Sequence, residues 1–243
     1  VRLDRASWPE VEAYLEDHTG ILIPVGSTEQ HGPMGLIGTD AICAERIADG
    51  AAEAAGALVA PTLAYTPAPF NMRVPGTVSV SEPVFRALAG EVADALAAHG
   101  FRHLYFLNGH GANIAPLKAL NIRGASIRLR SWWDFEPVNL LRQRYYGEWE
   151  GMHATPSEVA ITQATDRVLP PGAAADPPQR LSPEFIRAHA GDRHGPPDEH
   201  RASFPDGRVG SHSALATPEH GRALLDAAVA AVAEDYRAWV RAG

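Results

Sequence analysis

Ile21-Leu22-Ile23-Pro24-Val25-Gly26-Ser27-Thr28-Glu29-Gln30-His31-Gly32-Pro33 is an apolar run that breaks into a polar, glycine-containing turn. The run is too short for a helix and apolar throughout, the pattern of a strand buried on both faces of a parallel sheet. If the backbone stays extended beyond it, Glu29 and His31 project from one face. Gly32-Pro33 and Gly35 then turn the chain, and Asp40 returns at the start of the next helical stretch.

The design recurs at Leu104-Tyr105-Phe106-Leu107-Asn108-Gly109-His110-Gly111-Ala112-Asn113, and a third polar segment, Gly151-Met152-His153-Ala154-Thr155-Pro156-Ser157-Glu158, precedes a helical run. Ligands of open α/β sheets collect beyond the carboxyl ends of the strands, so the first two turns are expected to face one pocket. Glu29, His31, Asp40, His110 and Glu158 become candidate metal ligands, with His153 beside them. Two imidazoles and three carboxylates without thiolate suit Zn, Mn, Fe(II) or Co. Each residue also has a structural role open to it. Asp40 can cap a helix, His110 can bond the backbone of its turn, and Glu158 can complete a capping box with Thr155.

Strands are expected at 21–25, 57–63, 103–107 and 126–132, separated by helical stretches at 40–55, 82–98 and 114–122. This alternation predicts an α/β fold, a mainly parallel sheet with helices on both faces. Further helices are expected at 156–164 and 182–189, and a closing helix from Pro218 to about Val240. Residues 191–213 read as a polar excursion in which His194, His200 and His212 are expected to be solvated loop histidines, their spacing fitting no ligand pattern.

The three motifs, in this order and spacing, resemble the creatininase family of metal-dependent amidohydrolases. The resemblance runs from near the N-terminus to Gly221 and includes a late segment, Gly207 to Gly221. It implies a single-domain three-layer sandwich over residues 1–243 and two divalent metal ions per subunit, zinc first, with manganese or iron as alternatives. By the same resemblance Glu29 and His110 hold one ion, His31 and Glu158 the other, and Asp40 bridges them. A metal-bound water, its pKa drawn down to roughly 7, would attack a carbonyl carbon while His153 passes a proton to the leaving nitrogen. Trp133 and Trp149 fall where creatininases carry tryptophans over the substrate. Arg73, ahead of Pro75-Gly76-Thr77, is a candidate partner for a substrate carboxylate or phosphate, or a solvated loop arginine.

The chain departs from the creatinine-hydrolysing pattern at three places. Ala112 stands where those enzymes have a further acidic residue, Met152 replaces an acidic neighbour of the catalytic histidine, and Pro33-Met34-Gly35-Leu36 replaces Pro-His-Leu-Pro. The substrate is therefore left open. A small cyclic amide or N-formyl group is expected first. A cyclic ketone such as an oxidised inositol is the alternative hydrolytic substrate, and a non-catalytic metal or metabolite binding protein is the third reading. The resemblance also implies a homo-oligomer, a hexamer by analogy.

The bulk properties narrow the partners. With 243 residues and 45% hydrophobic content the chain can bury a core of ordinary α/β size. A net charge of -8 argues against nucleic acid as a partner. The one cysteine, Cys43, precludes an internal disulfide and fits a cytoplasmic location. No apolar run approaches the roughly 20 residues of a membrane span, so no membrane is expected.

Overall fold

The computed structural model describes residues 1–242. In chain order it contains α1 (Trp8–Asp17), β1 (Gly20–Val25), α2 (Thr39–Ala55), β2 (Leu58–Val59), α3 (Glu82–Ala98) and β3 (His103–Asn108). There follow α4 (Ile114–Lys118), β4 (Ser126–Ser131), α5 (Glu136–Tyr145), α6 (Pro156–Thr165), α7 (Pro183–His189), α8 (Pro197–Ser203) and α9 (Pro218–Ala242). Among the described residues no helix is long and apolar enough to cross a membrane.

The four strands form one parallel sheet in the order β2-β1-β3-β4. Alternation along each strand feeds two cores. Leu22, Tyr105 and Leu107 pack under α2, α6 and α9, whereas Ile21, Ile23, Leu104 and Phe106 pack under α3, with Leu117 of α4. The result is the expected three-layer α/β arrangement, and it explains why β1 and β3 are apolar at nearly every position. The closing helix sits on the parent sheet, with Leu224, Ala228, Val232 and Tyr236 buried in the first core.

Two expected elements are shorter than their sequence signal. The strand expected at 57–63 pairs regularly only at Leu58–Val59, because Pro61 has no N–H for the ladder. The chain rejoins at Leu63, whose N–H bonds to the Pro24 carbonyl and whose carbonyl accepts from Gly26. The helix expected at 114–122 ends at Lys118. A turn at Arg123-Gly124 then brings β4 alongside β3, the Ser126 N–H donating to the Arg102 carbonyl.

The position of the site follows from the strand order. β2 lies on one side of β1 and β3 on the other, so the winding reverses between β1 and β3, where a crevice opens beyond the carboxyl ends. Val25, Asn108 and Ser131 are register partners, so the turns after β1, β3 and β4 leave the sheet at one level.

Candidate functional site

The Asn108 side chain organises the turn after β3. Its amide donates to the His110 carbonyl and to Ser131 Oγ, and its Oδ1 accepts from the His110 N–H and from Asn113 Nδ2. Asn113 also donates to the Gly26 carbonyl, tying this turn to the one after β1. At Gly109 a Cβ would lie 2.3 Å from the Asp40 carbonyl oxygen, so only glycine lets the start of α2 come this close. Asp40 lies in the first turn of α2, where Gly38 rather than Asp40 is the cap, and the helix N-terminus favours its charge.

Glu29, His31, Asp40, His110, His153 and Glu158 are all buried. Three backbone carbonyls fix the imidazoles. His31 Nδ1 donates to the Glu29 carbonyl at 3.1 Å, His110 Nε2 to the Pro67 carbonyl at 2.8 Å and His153 Nε2 to the Gln30 carbonyl at 2.7 Å. A carbonyl can only accept, so in each neutral ring the opposite nitrogen carries a lone pair. Those lone pairs face carboxylates. His31 Nε2 is 2.9 Å from Asp40 Oδ1 and 3.7 Å from Glu158 Oε1. His110 Nδ1 is 3.0 Å from Glu29 Oε1 and 3.2 Å from Asp40 Oδ2. His153 Nδ1 is 3.7 Å from Glu29 Oε1.

Lone pairs facing carboxylates repel unless positive charge, a proton or a cation, lies between them, and two features fit a cation. Glu29 Oε1 and Asp40 Oδ2 are buried without a hydrogen-bond partner, a state that costs free energy unless something binds there. Two donors about 2.1 Å from a shared ion can be no more than about 4.2 Å apart, and every distance above meets that limit. Glu29, Asp40 and His110 form one group able to hold an ion, His31, Asp40 and Glu158 a second, and Glu29, His31 and His153 a third. Asp40 is common to the first two.

The ionisation of the cluster without a cation expresses the same demand. Burial disfavours charge on His31, yet Asp40 and Glu158 outweigh it and hold the imidazolium up to about 10. His110 is likewise raised, burial being overcome by Glu29 and Asp40. Asp40 is drawn down to about 2 against burial by His31 and His110. Burial pushes Glu158 up to about 7, opposed by His31. His153 goes the other way, pushed down to about 4 chiefly by burial.

Glu158 completes the capping box and also faces the cluster. Its Oε1 accepts the Thr155 N–H at 2.5 Å, closing the capping box of α6, and the same oxygen faces His31. Ala154, beside His153, has a positive φ of 57° although it is not glycine. Such left-handed backbone costs about 1–2 kcal/mol, and it falls directly after His153.

A cavity of about 180 Å³ opens over the cluster, lined by Asp40, His110, His153 and Glu158 and walled by Trp132 and Trp133. The volume suits a ligand smaller than the usual drug-sized occupant. Trp149 does not line it; its ring lies under the Arg180 guanidinium, 4.4 Å away, and beside His212. Arg73 does not line it either, being exposed and paired with Asp198. Arg142 reaches the rim but is engaged by Glu150.

The excursion at 191–213 differs from expectation. His194 has a side chain 1% exposed and His200 is buried, both packed on the Phe70 ring at 4.7 and 5.2 Å. They are not solvated, because Phe70 and Phe204 offer an apolar bed that the sequence spacing did not reveal. Two polar residues at the site carried no motif signal. Asn71 donates to Glu29 Oε2 at 2.8 Å and lies 3.3 Å from His153 Nε2, and Asp192 lies 3.6 Å from His110 Nδ1.

A model of the creatininase family, described as creatinine amidohydrolase, matches residues 4–236. The chain is 27% identical to creatinine amidohydrolase of Pseudomonas putida over 205 residues, 73% of this chain and 79% of that protein. It is 37% identical over 105 residues to a mycofactocin precursor peptide peptidase of Mycolicibacterium smegmatis, covering 41% of this chain and 42% of that one. It is 39% identical over 92 residues to a 3-dehydro-scyllo-inosose hydrolase of Thermotoga maritima, covering 37% and 30%. A crystal structure of creatinine amidohydrolase superimposes with a TM-score of 0.80 at 25% identity, covering 97% of this chain and 96% of that one. A structure described as "Creatininase Mn" gives 0.75 at 25% identity, covering 98% and 97%, and a mutant creatininase described as "Zn-Zn type" gives 0.72 at 25%, covering 97% and 96%.

Proposed function

Because this chain belongs to the creatininase family of hydrolases, we propose that it is a metal-dependent amidohydrolase cleaving a carbon–nitrogen bond of a small cyclic amide or N-formyl group, with two divalent ions per chain. One observation carries the reading: three buried imidazoles, each fixed by a backbone carbonyl, present their free nitrogens to carboxylates, two oxygens of which, Glu29 Oε1 and Asp40 Oδ2, have no hydrogen-bond partner. The donor set is nitrogen and oxygen only, and the relatives' manganese and zinc forms agree with it.

Glu29, Asp40 and His110 would hold one ion and His31, Asp40 and Glu158 the other, with Asp40 common to both. Such ions polarise a carbonyl and acidify a water. The protein's own groups do the rest. His153, kept neutral by burial, accepts a proton at Nδ1 and returns it to the leaving nitrogen, while its Nε2–H stays on the Gln30 carbonyl and holds the ring in place. Asn71 fixes Glu29 through Oε2, leaving Oε1 for the ion. Trp132 and Trp133, their rings set edge to face, provide an apolar wall and keep the cavity small.

The local similarity to the inosose hydrolase supports a second reading, ring opening of a cyclic ketone at the same site. The two differ in products, since carbon–carbon cleavage releases no amine. A screen of cyclic amides, N-formyl compounds, oxidised inositols and short peptides, run with zinc or manganese and read by amine release and mass change, decides between them. Amine or formate from an amide is the expected result, and turnover of ketones alone would replace the first reading by the second. Assembly into a homo-oligomer, by family resemblance a hexamer, is proposed alongside; a monomer in light scattering would refute it.

A further inference from the structure

The loop between α7 and α8 delivers a carboxylate that the mechanism above leaves unused. The Asp192 side chain is 11% exposed and lines the cavity. Its Oδ2 accepts the Ala112 N–H at 3.1 Å and lies 3.6 Å from His110 Nδ1. The turn after β3 is shaped to admit it, since a Cβ on Gly111 would sit 2.3 Å from the same oxygen. On its other side Oδ1 is 3.8 Å from His194 Nε2, a buried nitrogen with no hydrogen-bond partner.

Asp192 is not part of the two tight donor groups that share Asp40. Among the cluster's donor atoms its Oδ2 is close to His110 Nδ1 alone and joins none of the groups of mutually close donors, so it would reach an ion held by Glu29, Asp40 and His110 through a water rather than directly. Charge favours that role. Glu29, Asp40 and Glu158 bring three negative charges against the four of two divalent ions, and Asp192 supplies the fourth.

We propose that Asp192 is an outer carboxylate of the cation site, which raises affinity for the ion on the His110 side through a shared water. The proposal rests on the metal-dependent reading above. It also makes the excursion a working part of the site, because Asp192 can be placed only by the segment that packs His194 and His200 on Phe70.

The test is a chelator-competition titration with zinc and with manganese on the full chain and three variants. Asp192→Asn keeps an acceptor for the Ala112 N–H and removes the charge. Gly111→Ala displaces the carboxylate without removing it, at a backbone position whose φ is not positive, and so serves if the first variant folds poorly. Glu199→Gln removes an exposed charge from the neighbouring helix and is the control. Expected is one ion bound about 10–100-fold more weakly in Asp192→Asn and Gly111→Ala, the other ion unchanged, and Glu199→Gln like the wild type. Wild-type affinity for both ions in Asp192→Asn would overturn the proposal, as would equal weakening by Glu199→Gln. A wild-type chain that binds no divalent ion would instead overturn the metal-dependent reading itself.

Discussion

Floor and roof of the cavity meet over the same cluster but are held in different ways. The floor comes from the turns after β1 and β3, whose strands are paired along their whole length and buried on both faces. The floor imidazoles of His31 and His110 are fixed by backbone carbonyls, and the turn that carries His110 is fixed by the Asn108 network. The roof, residues 190–204, is a short helix between turns, partly exposed, held by the His194 and His200 rings packed on Phe70 and by Phe204 against His200. Rigid sheet ends can hold donor atoms to a few tenths of an ångström, as a metal centre requires. A ring-packed loop cannot, and it suits groups acting through water or shaping the opening.

The comparison makes the floor the place where changes abolish function. Stripping the protein with a chelator should reduce hydrolysis to background, and zinc or manganese should restore it; activity that persists in chelator would break the floor's assignment. His153→Ala should lower kcat by about 10²–10⁴-fold while bound metal stays constant. Because His153 also borders a potential ligand group with Glu29 and His31, loss of metal in this variant would move it from proton transfer to ligation.

Phe70 joins the two regions, and Phe70→Ala should cost about 3–5 kcal/mol in urea unfolding, with the 190–204 segment becoming protease-sensitive. A change below about 1 kcal/mol would mean the roof is held elsewhere. The floor also carries a pH signature. Without a cation His31 is protonated at neutral pH, its pKa being held up to about 10, so an arriving ion must displace that proton. Metal uptake should therefore release protons and weaken as pH falls, which calorimetry in two buffers of different ionisation enthalpy will measure. The smallest effects are expected farthest from the floor. Trp133→Ala should raise KM by about tenfold, whereas Trp149→Ala and Arg73→Ala should leave it within roughly twofold, since neither side chain lines the cavity.

What the sequence disclosed follows the same division. Glu29, His31 and His110 were legible because each follows a strand by a fixed short interval, and a strand end converts spacing into direction. β1 and β3 were legible from continuous apolarity, whereas β2 was overextended because Pro61 interrupts a run that otherwise reads as strand. Asp192 was not legible. Its anchoring donor, the Ala112 N–H, is 80 positions away, and no local period encodes a contact made by loop packing. The burial of His194 and His200 was hidden for the same reason, their apolar bed including Phe70 from a distant segment. Arg73 drew attention within its segment, yet Asn71, two residues earlier, is the one that touches Glu29. A neutral amide beside a loop arginine has no pattern of its own.

The central claim is a floor built to hold two divalent ions around Asp40. Mass-spectrometric metal content of protein purified without chelator or nickel, for the wild type and for Asp40→Ala, tests it most directly. The account predicts about two ions per wild-type chain and a sharp fall in the variant. A wild-type chain without stoichiometric metal even after zinc or manganese is added back, or an Asp40→Ala chain that keeps both ions, would contradict it.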